Sequence, residues 1–507
     1  MAKPKVIVVG GGLGGLMTAI KVCELGFPVQ LFSYVPSRRS HSVCAQGGIN
    51  ASIDVKGEGD SPEIHFFESV YGGDFLANQP PVRGMCYAAP DIVYMLDRMG
   101  VPFNRTPEGN LDFRSFGGTL YHRTAFAGAT TGQQMIYALD EQVRRFEVEG
   151  LVERFECHSM QSLILDDRGT CRGITALHMP TMQVSAYPAE AVVLATGGPG
   201  LVFGKTTNSM ICTGSAVTRA FLQGAKYANG EFIQVHPTAI VGGDKRRLIS
   251  ESVRAEGGRI WTYKDGKKWY FLEEMYPAYG NLVPRDIASR AIFDVVVNQK
   301  LGVNGENYVY LDVTHIPREV LKSKLEGVLE IYQKFTGEDP YTTPMKVFPA
   351  VHYSMGGLWI DYDHRTNIKG LYAVGECDYQ YHGANRLGAN SLLSCIFGGM
   401  VAGPKIVEYI KNESFEPLSD SLLDEAVKAQ ESAFEEVFSL DGEENAYRIQ
   451  DEMAEMMVEN VTVVRENAKL KRTLDTLYEL EERTKRIGIS DHGRRMNQEA
   501  IFIRELR

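Results

Sequence analysis

Four basic residues far apart in the chain carry chemistry worth following: His236, Arg285, His352 and Arg386. Each lies near glycine or proline, in a context that reads as loop. An arginine presents a planar fork matched to carboxylate oxygens. Brought together, the four would bind a dicarboxylate; alone, each reads equally as an ion pair or a satisfied histidine. A second constellation opens the chain, where Gly10, Gly12 and Gly15 fit G-x-G-x-x-G. In such a motif the first glycine permits a tight turn, the second lets backbone approach a pyrophosphate, and the third lets helix pack on strand. The following helix N-terminus, here at Leu13 and Gly14, offers free N–H groups to phosphate.

The elements that must position these residues are legible from period and punctuation. Lys5–Val9 is a short apolar run that reads as a strand, and Leu16, Ile20 and Cys23 recur at helical spacing up to Gly26. The second strand, Val29-Gln30-Leu31-Phe32, ends in Ser33, where an acid for a ribose hydroxyl is usual. The motif alone therefore leaves FAD and NAD both open. Residues 131–146 read as a helix, 151–177 as strand-rich, and Ala191–Leu194 as a buried strand running into Thr196-Gly197-Gly198. From about residue 411 the chain turns charged and helical in period, over Leu422–Phe438 and Tyr447–Leu474.

Composition bounds the function. A chain of 507 residues is long enough for two or three domains. Its net charge of −11 argues against nucleic acid as a partner. Eight cysteines are scattered without C-x-x-C, so reduced thiols and no iron–sulfur or zinc site are expected in this chain. The chain enters a strand at once, so no signal peptide is expected. The longest apolar stretch, Leu392 to Gly403, is too short to span a bilayer. Membrane attachment is therefore expected only through another protein.

The loop Ser40-His41-Ser42, followed by Ala45-Gln46-Gly47-Gly48, resembles the flavin-linking loop of succinate dehydrogenase and fumarate reductase flavoprotein subunits. Tyr71–Gln79, Phe116-Gly117-Gly118, Thr207-Asn208, Thr213-Gly214, Leu248–Gly258, Pro284-Arg285-Asp286 and His382–Leu393 resemble the same family, so the likeness covers essentially the whole length. The wording from Val35 to Ala45 looks closest to bacterial, menaquinone-linked members.

The resemblance implies an α/β fold: a Rossmann-like FAD-binding domain over residues 1–231 and 351–410, an inserted α+β capping domain over 232–350, and a helical domain over 411–507. It implies that His41 bonds covalently to the 8α-methyl carbon of FAD. The cofactor would be held by Gly10, Gly12, Leu13, Gly14, Gly15, Ser33, Ser40, His41, Ser42, Gln46, Gly47, Gly48, Thr196, Gly197, Asn208, Thr213, Gly214, Glu376, Ser391 and Leu392. Ser215 stands where relatives often carry an acid, which weakens one FAD contact. The implied reaction interconverts succinate and fumarate. Arg285 matches the proton shuttle and Glu251 with Arg254 the relay behind it, while Phe116, His236, Ser250, His352 and Arg386 match substrate-binding positions. A free guanidinium holds its proton with a pKa above about 12, yet a developing carbanion is far more basic, so donation is feasible. Electrons would pass to an iron–sulfur subunit and a membrane anchor subunit, with this chain peripheral on the cytoplasmic face of the membrane. A cation held by backbone carbonyls is also implied, with Ser354, Met355 and Gly356 as candidates; no side-chain metal site is expected.

Related proteins continue beyond the position matching Arg507, so the family's tail is expected to be absent or cut from this sequence. The nearest rival is L-aspartate oxidase, which has the same fold but lacks the flavin-linking histidine; His41 counts against it. A non-catalytic relative such as the GDP dissociation inhibitors is opposed by the retention of Thr196-Gly197, Glu376 and the pocket residues.

Overall fold

The computed structural model describes residues 5–242 and 245–507. At its centre is a five-stranded sheet in the order Leu371–Ala373, Ala191–Leu194, Val6–Val9, Val29–Ser33, Val152–Glu156, every pair parallel. Four of these strands are buried along their length, as parallel sheets covered on both faces must be. The alternation along Val6–Val9 divides the core. Val6 and Val8 face the layer holding the helices Leu13–Glu24 and Asn390–Asn412. Ile7 and Val9 face the antiparallel sheet of His158–Leu165, Cys171–His178 and Gln183–Pro188.

The two core helices approach closely because glycines line their seam. A Cβ on Gly399 would lie 2.9 Å from Met17 Cβ, and one on Gly403 would lie 2.5 Å from Lys21 Cβ. The second helix begins at Asn390 and runs 23 residues through Pro404 to Asn412, well past the apolar stretch read from the sequence. At about 35 Å it is, among the described residues, the one helix long and apolar enough to cross a membrane. Here it packs inside the protein, burying Leu393, Ile396, Ile406 and Val407 against Leu16, Met17 and Ile20.

A second sheet of six antiparallel strands runs Arg247–Leu248, Ile233–Ile240, Met345–Ser354, Val309–Asp312, Arg259–Lys264, Lys267–Trp269. With the helices Arg285–Phe293 and Arg318–Thr336 it encloses its own core, including Ile260, Leu311, Leu325 and Val347. The strand Met345–Ser354 passes through residue 350 without a break. The helices Asp420–Phe438, Ala446–Val461, Asn467–Thr484 and Gln498–Leu506 complete the chain. The single period read over Tyr447–Leu474 is interrupted at Thr462, which has non-helical dihedrals. The β-branched run Val461-Thr462-Val463-Val464 is poorly suited to continue a helix, and Asn467 opens the next one.

The glycine seam is directly testable. Gly403→Leu forces the helix pair apart and should lower the unfolding temperature by several degrees or more, a loss typical of core overpacking. The neighbouring exposed change Glu408→Gln should move it by less than about two degrees.

Candidate active site

The sheet ends open into a cavity of about 1040 Å³ lined by Gly10–Gly14, Ser33, Ser40–Ser42, Thr196-Gly197, Thr213-Gly214 and Glu376. Gly10 has φ +119, and a Cβ there would lie 2.1 Å from the Ala195 carbonyl oxygen. A Cβ on Gly15 would lie 1.9 Å from the Gly10 carbonyl oxygen, so Gly15 packs behind the turn and does not line the cavity. The helix Leu13–Glu24 has no side-chain cap. Its Leu13 N–H makes only a 3.4 Å contact to Ser42 Oγ, so its first turn keeps donors for a phosphate. The buried hydroxyls Ser40 Oγ and Thr196 Oγ1 lack protein partners, as groups awaiting a polar ligand would. The donor set and the close backbone approach fit FAD.

His41 lies where this cavity meets a second one of about 1710 Å³, and lines both. Its Nδ1 accepts from the Ser209 backbone N–H at 3.2 Å. Asn208 Nδ2 lies 3.2 Å from Nε2, so Asn208 stands beside the histidine and outside the cavity wall. Burial, reinforced by Lys245, lowers the His41 pKa to about 4, leaving a neutral ring. Gln46, Gly47, Gly48, Ser391 and Leu392 line the second cavity. One residue absent from the sequence reading, Arg114, helps fix this loop. Arg114 donates to the Gln46 carbonyl at 3.0 Å and also to the Gly47 carbonyl, while Gln46 Nε2 donates to the Leu248 carbonyl at 3.1 Å.

The second cavity gathers Phe116, His236, Ser250, Glu251, Arg285, His352 and Arg386. His236 and His352 belong to the paired strands Ile233–Ile240 and Met345–Ser354, and Arg285 begins a helix; the loop context read for them holds only for Arg386. The strand pairing brings the two imidazoles to 5.1 Å, edge to face. Burial first and the neighbouring Arg285 second hold both pKa values well below the ordinary histidine range. Thr207 Oγ1 lies 2.7 Å from His352 Nδ1, whereas His236 Nε2 is buried without a partner. Phe116 is buried, its ring close on Gly47 and Gly388. Ser250 Oγ meets Ser252 Oγ at 2.9 Å.

Behind the pocket runs a chain of buried charges. Arg285 Nε donates to Glu251 Oε2 at 2.9 Å, and Arg254 Nη2 donates to Glu251 Oε1 at 2.6 Å. Arg254 is buried behind the pocket wall, where its Nη1 donates to the Asn281 carbonyl at 2.7 Å; burial lowers its pKa. Gln234, which no motif marked, joins the two cavity-facing arginines. Its Oε1 accepts from Arg285 Nη1 at 3.1 Å and from Arg386 Nη2 at 2.9 Å, and its Nε2 donates to the Arg386 carbonyl at 2.7 Å. Its position two residues before His236 puts it on the same face of the strand, a signal that period 2 offered. Burial pushes Arg386 down to about 10, with Arg285 the next cause.

The turn carrying Arg386 is held by a buried amide network that the sequence also left unmarked. Asn50 Nδ2 donates to the Gly388 carbonyl at 2.7 Å and to Asn390 Oδ1 at 2.8 Å, and His65 Nε2 lies 2.9 Å from Asn390 Oδ1. Ala389 between them has φ +64, strain that the network maintains. Ser354 N–H donates to Glu376 Oε1 at 3.0 Å, and burial raises Glu376 to about 7. Among the described residues no group of three His, Cys, Asp or Glu side chains is placed to hold a metal.

The family profile described as "FAD binding domain" matches residues 5–392, and "Fumarate reductase flavoprotein C-term" matches residues 450–507. The succinate dehydrogenase flavoprotein subunit of Bacillus subtilis (strain 168) is 63% identical over 507 residues, covering 100% of this chain and 86% of that protein. The chain belongs to the succinate dehydrogenase and fumarate reductase flavoprotein family. It is an FAD-dependent oxidoreductase of the α/β class. The fumarate reductase flavoprotein subunit of Escherichia coli (strain K12) is 34% identical over 512 residues, covering 98% of this chain and 83% of its own. A solved structure of the Escherichia coli quinol fumarate reductase superposes with a TM-score of 0.93 at 33% identity, covering 99% of this chain and 86% of that one.

Gln234→Leu tests the bridge between the arginines. It removes an acceptor shared by two cations while keeping similar bulk. The variant should keep its flavin absorbance, raise the KM for succinate roughly tenfold, and lower kcat/KM further, read by dye-coupled assay.

Proposed function

We propose that the site interconverts succinate and fumarate on a covalently bound FAD. One observation carries this reading: within the hydrogen-bonded group, three guanidiniums (Arg254, Arg285, Arg386) meet one carboxylate, Glu251, beside neutral histidines. That leaves two positive charges in a buried pocket, and a dicarboxylate dianion cancels both. When bound, FAD supplies the two-electron chemistry at its N5.

The residues then divide the work. Arg386, His352, His236 and Ser250 hold the carboxylates and fix the reacting carbons, which supplies catalysis by positioning. Phe116 walls the pocket and helps exclude water. Arg285 would give a proton to the substrate carbon in fumarate reduction, and in succinate oxidation would take one after its own has passed to Glu251. Glu251 and Arg254 return the proton along the contacts described. His41, on the wall shared by the two cavities, would carry the bond to the flavin methyl. Electrons would leave the site to an iron–sulfur subunit and on to quinone, with the chain peripheral on the cytoplasmic face of the membrane. The menaquinone-linked reading rests on the wording from Val35 to Ala45. His41, beside the flavin cavity, opposes the aspartate oxidase alternative.

Arg285→Lys keeps the charge but loses the fork. It should retain FAD and dicarboxylate binding and lose several orders of magnitude in turnover; near-normal succinate oxidation would remove Arg285 from the role.

His41→Ser should leave FAD bound but released by acid. An imidazole at the 8α position withdraws electron density and makes the flavin easier to reduce. The variant should therefore lose most succinate oxidation and still reduce fumarate from a strong artificial donor. Parent flavin that came free in acid would refute the covalent bond.

A further inference from the structure

Dinucleotide-binding units commonly place an acid at the end of the second strand, where it accepts from the adenosine ribose. Here that position is Ser33, on the cavity wall. A carboxylate from a distant part of the sequence lies directly behind the same wall, touching two of its hydroxyls. Glu505 lies on the last helix, Gln498–Leu506, which is seated by Ala500, Ile501 and Ile503 in the core of the C-terminal helices and against Leu177 and Val184. Ser215 Oγ donates to Glu505 Oε1 at 3.4 Å, and Ser159 Oγ does so at 3.5 Å. Both serines line the cavity, as do Thr213 and Tyr34, which also interact with Glu505.

The environment of this carboxylate is unusual. Burial pushes its pKa up, and Arg219 is the next cause, favouring its charge. Among the described residues no cation lies within ion-pairing distance of it. Its neighbours are hydroxyls at long range, so it retains accepting capacity. A ribose diol supplies two O–H donors. We propose that Glu505 accepts the adenosine-ribose hydroxyls of FAD, replacing the acid absent at Ser33. The cofactor would thus be gripped by both ends of the sequence, and the terminal helix would be part of the cofactor site. Glu156, paired with Ser33 in the adjacent strand, is exposed and lies off the cavity wall, which makes it the natural control.

The test uses the full chain carrying His41→Ser, stripped of flavin. It is titrated, by flavin fluorescence, with FAD and with FAD lacking the 2′- or 3′-hydroxyl of the adenosine ribose. The readout is non-covalent affinity, so it does not depend on whether His41 normally bonds the cofactor. The expected result is that the parent prefers FAD over at least one deoxy analogue by roughly tenfold to a hundredfold, the range for hydrogen bonds to a charged group. Adding Glu505→Gln should weaken FAD by a similar factor and abolish the preference. Adding Glu156→Gln should change neither. If Glu505 only seats the helix, its loss weakens all three ligands alike and the preference survives. That outcome, or a parent with no preference, would overturn the proposal.

Discussion

Two buried guanidiniums held on one amide oxygen set the demand that the rest of the molecule meets. Arg285 and Arg386 repel each other, and burial weakens the hydration that would otherwise stabilise them. Gln234 Oε1 gives both a shared acceptor, and Glu251 neutralises one of them from behind. The remaining charge is a standing attraction for a dianion. Such an arrangement survives only where neighbouring structure leaves the arginines no room to part.

That confinement comes from three directions. The pairing of Ile233–Ile240 with Met345–Ser354 supplies Gln234, His236 and His352 from a rigid sheet. The helix Arg285–Phe293 holds Arg285 at its first residue. The turn before Asn390 holds Arg386, and its strained Ala389 is kept in place by Asn50, Asn390 and His65. Glycine contacts tie these parts to the cofactor side. A Cβ on Gly388 would lie 2.9 Å from Phe116 Cδ1 and 3.2 Å from Glu251 Oε2, and one on Gly117 would lie 2.2 Å from Glu251 Oε1. Glu251, Phe116 and the turn after Arg386 therefore share one packed layer.

The cofactor cavity obeys a different constraint, close approach without side chains. The turn at Gly10 and the seam at Gly399 and Gly403 let strand, turn and both helices converge beside the open helix N-terminus. The long helix that forms this seam is apolar because it lies between sheet and helices, and the same composition would suit a bilayer. Packing around it, rather than its own hydropathy, distinguishes the two.

The sequence by itself determined the glycine turn, the parallel strand leading into it, and the family likeness carried by the loop at His41, because these depend on residue types at short, fixed spacing. It also marked Phe116, His236, Ser250, Glu251, Arg285, His352 and Arg386, all of which the structure brings to one cavity. Only the tertiary structure decided that Arg254 stands behind Glu251, that Gln234 couples two arginines, and that Asn50 and His65 brace a turn more than 300 residues away. Those roles rest on polar atoms meeting across sheet pairings and helix contacts, and an amide or carboxylate in a sequence carries no sign of the partner it will meet. Glu505 is the extreme case. In the sequence it reads as an ordinary surface acid, and only the docking of its helix brings it against Ser159 and Ser215 on a cavity built by the first strands.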